Sequence, residues 1–227
     1  MKSSVISNLS VYFKQFIYLA VFFGFSVSQA GSYDDFFIAI KRDDSSEVSA
    51  LLNRGFDANT VNVAGEHGLI LALREPSTKV ISVLIDWPKV NVEARSKQDE
   101  SPLMLASLQG MLKVCEQLIA RDADVNKTGW TPLHYAATNG HLAIISLLLE
   151  NHAYIDAASP NGTTPLMMAA RYGSSAAVKL LLDEGADPSV KNVNGLTALN
   201  FAQQASRPDA IDILTKSLRT TLPKETW

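Results

Sequence analysis

The chain is poor in the residues that build reactive centres. Its 227 residues contain one cysteine, Cys115, so no disulfide can form within it. No two glycines stand as G-x-G, which removes the glycine-rich loops that cradle phosphates. The G-x-S-x-G elbow, the H-E-x-x-H metal helix and the C-x-x-C pair are likewise missing. The four histidines, His67, His134, His141 and His152, are scattered, and no pair has ligand spacing with a third donor nearby. Basic residues number 20 against 23 acidic, a net charge of −3, so the basic stripe of a nucleic-acid binder is also lacking. These absences argue against a disulfide framework, a nucleotide enzyme, a metal site and a nucleic-acid partner. Hydrophobic residues at 47% and charged residues at 19% leave an ordinary globular composition.

The first thirty residues read differently from the rest. Lys2 and Lys14 are their charges, and an apolar run, FIYLAVFFGFSV, fills Phe16 to Val27. Ser28-Gln29-Ala30 then offers small residues at the two positions a signal peptidase reads, so residues 1–30 are expected to be a secretory signal cleaved after Ala30. The alternative is an uncleaved anchor, but the run is shorter than the ~20 residues a spanning helix needs. No cysteine follows it and no twin arginine precedes it, which points to the general export route rather than to a lipoprotein. Cleavage would leave 18 basic and 23 acidic residues, net −5, in a protein located in the periplasm or secreted.

What the chain does have is repetition. The segments SPLMLASLQG from Ser101, TPLHYAATNG from Thr131, TPLMMAARYG from Thr164 and TALNFAQQAS from Thr197 align, with caps 30, 33 and 33 residues apart. A weaker copy, HGLILALREP, begins at His67, and a half-matched opening unit begins at Asp34. The best copy runs Gly129–Asp156. There Thr131 is expected to cap a helix by accepting a backbone N–H, and Pro132 takes the first helical position. His134 reaches back to the cap, and Gly140 permits the left-handed turn. Ile144, Ile145, Leu147, Leu148 and Leu149 load a second helix that needs neighbours of its own kind.

A period near ~33 with T-P-L-H-x-A is the ankyrin signature, and the chain resembles the ankyrin-repeat family over about residues 33–218. The resemblance implies an all-α solenoid of helix–turn–helix units with projecting hairpin-like loops. Six units are expected, over about 33–62, 63–96, 97–126, 127–159, 160–192 and 193–218, followed by a frayed polar tail at 219–227. Departures from the pattern carry expectations of their own. His67-Gly68 in place of Thr-Pro makes a weaker cap. Glu75-Pro76 replaces a helix-ending glycine, and the proline still stops the helix. Asp86 to Val90 holds one extra residue. Only Lys127 and Thr128 separate Asn126 from Gly129 where other units have five residues, so a shortened loop and a notch are expected there. Cys115 falls on a second helix as a small core residue, and Asn126 at a turn position where the family side chain bonds the backbone.

Function is then expected on a surface. The family resemblance implies partner-protein binding on the concave face of loops and first helices, without catalysis, cofactor or metal. Register places Glu66, Glu100, Trp130, Thr163 and Leu196 just before the caps. It places Arg74, Gln109, Asn139, Arg171 and Tyr172 at the first-helix ends. Trp130, Arg171 and Tyr172 are types enriched at binding hot spots, although Trp130 has packing on a neighbouring loop as an equal alternative. The expected protein is a monomeric, exported interaction module without a stable membrane anchor. Its alternatives are an immunity-type inhibitor of a toxin or hydrolase and an accessory factor for an exported enzyme such as an oxidative-stress enzyme.

Overall fold

Each cap signal in the sequence starts a short helix, and each of these is followed by a second one. In the computed structural model, residues 31–75 and 77–221 are described; the signal expected at 1–30, Pro76 and residues 222–227 lie outside them. Six helix pairs follow in order: α1 (31–41) and α2 (Ser45–Asn53); α3 (Gly68–Arg74) and α4 (Thr78–Asp86); α5 (Pro102–Leu108) and α6 (Leu112–Ile119); α7 (Pro132–Asn139) and α8 (Leu142–Glu150); α9 (Pro165–Arg171) and α10 (Ser175–Asp183); α11 (Ala198–Gln204) and α12 (Pro208–Thr221). Isolated helices of 7–9 residues, the length of most of these, are too short to persist in water, so tertiary packing must hold them.

That packing is two rows of helices. The first helices stack from α3 through α11, and the second helices stack behind them from α2 through α12. In the front row Ala72, Ala106, Ala136, Ala169 and Ala202 are buried, and their small size lets successive helices approach. In the back row Leu51, Leu84, Leu118, Leu148, Leu181 and Leu214 recur at one register, each at most 1% exposed, and form the spine of the core. Each unit thus completes the core of its neighbours, as in solenoids generally.

The caps depend on the fourth residue after the cap opens. The backbone N–H of Ser101 donates to Met104 Sδ (3.3 Å), that of Thr164 to Met167 Sδ (3.4 Å), that of Thr197 to Asn200 Oδ1 (2.9 Å), and that of Thr131 to His134 Nδ1 (3.2 Å). At Thr131 the expected capping box with His134 forms, and the Thr131 hydroxyl also lies 2.9 Å from His134 Nδ1. His67 does cap α3, its Nδ1 accepting from the Leu69 N–H at 3.1 Å. Gly68 replaces proline for a reason of space: a Cβ there would stand 2.8 Å from the Phe36 ring.

Between pairs, hairpin fingers project. At four junctions the same two backbone bonds close the turn, for example Asn62 N–H to Glu66 O and Gly65 N–H to Asn62 O, with equivalents at 96–100, 159–163 and 192–196. Among the described residues no such pair closes 126–130. The short loop there carries Lys127, its side chain 11% exposed, which pairs with Asp99 on the preceding finger.

Side chains at one repeat position tie each unit to the next. Asn59 accepts the Asn91 N–H (2.7 Å), Glu93 the Asp124 N–H (3.0 Å), Asn126 the Tyr154 N–H (2.7 Å) and Asp156 the Asp187 N–H (3.2 Å). The extra residue after α4 is held by Arg121, which donates to the carbonyls of Ile85, Trp87, Pro88 and Val90. The helix at the far end also differs from expectation: α12 continues through Thr221, past the boundary at 218, as a 14-residue element. Its buried Ala210 and Leu214 anchor it on α10 and α11. Among the described residues no helix is long and apolar enough to cross a membrane.

Candidate functional site

The concave face is built from the residue before each cap and from the fifth and eighth residues after the cap opens. These repeat positions fall on the side of the front-row helices that faces the fingers. Three of the expected residues meet there. Arg74, at the end of α3, donates to Glu66 Oε1 at 2.5 Å and to Glu100 Oε2 at 2.7 Å, and reaches Gln98 Oε1 at 3.2 Å. Tyr135 of α7 adds its hydroxyl to Glu100 Oε1 at 3.3 Å, and Ser96 donates to Glu100 Oε2 at 3.0 Å. The hydrogen bond to Glu100 raises the Arg74 pKa, and burial, with Glu100 second, pushes the Tyr135 phenol up to about 12. This ladder spans three units, and in it the one guanidinium is shared by two carboxylates.

A second cluster occupies the other end of the same face. Arg171 ends α9, donates to Gln204 Oε1 at 3.2 Å, and places its guanidinium carbon 5.3 Å from the Tyr172 ring centroid and 5.9 Å from that of Phe201. Such distances are those of cation–π contacts. Tyr172 is 55% exposed beside it. Arg207 clamps the backbone beneath, donating to the carbonyls of Arg171 (3.3 Å) and Gly173.

The remaining expected residues divide. Gln109 donates its amide to Leu73 O, and Asn139 donates to Leu108 O at 2.7 Å. Both therefore satisfy open carbonyls at the ends of the preceding first helices. Thr163 is 2% exposed, and its carbonyl accepts from His134 Nε2 at 2.9 Å, so its side chain is not on the binding surface. Trp130 is half-buried with its ring edge-on to His134 of its own unit, centroids 5.2 Å apart. Leu196 is half-buried against the core. Tyr135, Phe201 and Gln204 escaped the sequence reading, although they share repeat positions with Leu71, Arg74 and Arg171 and were reachable by extending the same register.

Among the described residues, the remaining buried titratable side chains are built into the scaffold. Cys115 is buried beside Ser107, and burial pushes its thiol up to about 11, away from the thiolate that a nucleophile needs. Burial lowers the pKa of His67 and takes that of His134 to about 4, so both rings are neutral at pH 7. Among the described residues no three metal-ligating side chains gather, and every buried side-chain nitrogen and oxygen has a hydrogen-bond partner.

A row of helix pairs, with fingers at one edge and a polar, aromatic concave face, defines a helical-repeat scaffold. The chain belongs to the ankyrin-repeat family: the family model for ankyrin repeats matches residues 36–128, 89–159 and 152–222. Ankyrin repeats are protein-interaction modules. Human ankyrin repeat and KH domain-containing protein 1 is 40% identical over 93 residues, which cover 39% of this chain and 4% of that protein. The human transient receptor potential cation channel subfamily A member 1 is 36% identical over 70 residues, covering 28% of this chain and 6% of the channel. The chain thus spans under a tenth of the length of these relatives. Among solved structures, an ankyrin repeat domain from Acinetobacter baumannii superposes with a TM-score of 0.70 at 25% identity, covering 80% of this chain and 96% of that one. A chain in the structure of a predatory endopeptidase from Bdellovibrio bacteriovorus in complex with an immunity protein also superposes with a TM-score of 0.70. It is 30% identical, with coverages of 80% and 97%.

Proposed function

We propose that the chain is an exported, non-enzymatic binding module that holds a partner protein against its concave face. The observation that carries this reading is the cluster of Arg171, Tyr172, Phe201 and Gln204. It presents an arginine and an exposed tyrosine ring, residue types enriched at binding hot spots, over the buried Phe201 ring and on a clamped backbone. The leader at 1–30 supports export to the periplasm or beyond. A second reading is favoured by the likeness to a chain of an endopeptidase–immunity complex: the partner is a hydrolase, and this chain is its inhibitor.

The test begins with residues 31–227 carrying an affinity tag, used to capture proteins from periplasmic extract of the source cells, with identification by mass spectrometry. One partner is expected at near-equal stoichiometry. Trp130→Ala should weaken its capture more than it lowers the melting temperature. If affinity is unchanged, Trp130 serves packing alone; if the pure chain turns over substrates in a broad panel, the binding-only reading fails. Loss of the captured protein's hydrolytic activity on adding the chain would select the inhibitor reading. Fusing residues 1–30 to alkaline phosphatase should give activity that depends on export, and a fusion retained inside the cell would remove the exported part of the proposal.

A further inference from the structure

The two arginines at the eighth repeat position are in opposite electrostatic situations. Arg74 is held between Glu66 and Glu100. Arg171 has no carboxylate within ion-pair distance among the described residues; its hydrogen bond goes to the neutral Gln204. A half-buried guanidinium held only by a neutral amide retains unused donors, and its planar fork matches a carboxylate.

It is also held in place beforehand. The rings of Tyr172 and Phe201 flank the guanidinium, Gln204 fixes one nitrogen, and Arg207 ties down the carbonyls of Arg171 and Gly173. Ordering a long side chain normally opposes binding, and here the fold has already ordered it. The charge of the chain falls unevenly around it. Residues 31–126 carry 15 acidic and 10 basic side chains, whereas residues 127–227 carry 8 of each. A carboxylate approaching the first three units meets net negative charge; one approaching Arg171 does not.

We infer that Arg171 is the receptor for an aspartate or glutamate side chain of the partner protein, and that this contact fixes which way the partner lies along the concave face. The inference rests on the binding-module reading above.

Nuclear magnetic resonance of the side-chain Nε–Hε group of Arg171, assigned by its loss in Arg171→Lys, tests it without the native partner. The probe is the peptide acetyl-Gly-Trp-Glu-Gly-amide, blocked at both ends so that its one carboxylate is the glutamate, titrated at low salt. A saturable shift of the Arg171 resonance is expected. It should be at least threefold weaker with the glutamine version of the peptide, and absent at high salt. Equal shifts with both peptides, or no shift at Arg171, would overturn the proposal. With a captured partner in hand, Arg171→Glu and Arg171→Gln should each cost at least tenfold in affinity, with melting temperatures checked alongside. Neither variant removes the backbone carbonyl that Arg207 holds. Unchanged affinity in both variants would defeat the role of Arg171 and leave the binding module standing; failure of the unaltered chain to bind any partner would defeat the module itself.

Discussion

At the scale of the residue, His134 carries the clearest account. Its Nδ1 accepts from the Thr131 N–H and meets the Thr131 hydroxyl, while its Nε2 faces the Thr163 carbonyl across the unit boundary. Only the neutral ring with its proton on Nε2 fits all three neighbours. Protonating Nδ1 would set a donor against a backbone donor, and burial already holds the pKa near 4 against 6.5 in the unfolded chain. The folded state therefore binds fewer protons than the unfolded state between those values. The contribution is complete above pH 6.5 and is lost as pH falls toward 4, up to about 3 kcal/mol. His134→Met, which copies the arrangement at Met104 and Met167, should remove that slope. Chemical denaturation of both proteins at pH 7, 5.5 and 4.5 checks this, and parallel pH profiles would contradict it. The sequence showed His134 as a cap from its spacing to Thr131. The bond to Thr163 was hidden because it depends on how one unit sits on the next, and that same bond turned Thr163 from an expected surface residue into framework.

At the scale of the element, the turns were legible in kind but not always in cause. Gly110 and Gly140 adopt positive φ after their helices, as the repeat pattern implies. Gly173 occupies the same repeat position without positive φ. What it provides is room, since a Cβ would stand 2.4 Å from Ala137 O on the preceding unit. Gly173→Ala should therefore wedge two units apart and destabilise the chain by about 1–3 kcal/mol, read as a shift of the urea midpoint; an unchanged midpoint would show that the units slide without cost. Neighbour contacts of this sort have no signature within a single repeat. The extra residue after α4 was visible by alignment, whereas its fastening by Arg121 was not, because four carbonyls converge only once the loop is folded. The short loop at Lys127 was legible by counting residues, whereas its pairing with Asp99 was not, because that contact forms only between neighbouring fingers.

At the scale of the whole molecule, the back-row leucines couple all six units. Leu148→Asp would put an unpaired charge into that spine at the fourth unit, at a cost of several kcal/mol. Circular dichroism should show loss of the cooperative melt, and a single sharp transition near the unaltered temperature would contradict the stacked core. The stacked architecture was legible, because four caps at 30- to 33-residue spacing state it and two weaker copies extend it. The concave chemistry was only half legible, because register places a residue on a face and cannot say whether its polar atoms are already spent on the scaffold, as in Gln109 and Asn139.

The side chains that receive a backbone N–H from the following unit, Asn59, Glu93, Asn126 and Asp156, bear on how such a chain can change length. Acceptor and donor lie one repeat apart. A tandem duplication of one full period, wherever the gene is cut, adds one acceptor together with one donor and leaves neither orphaned. Deletion of a full period removes one of each. The joint is therefore indifferent to the number of units, and lineages can lengthen or shorten the array by recombination without redesigning its seams.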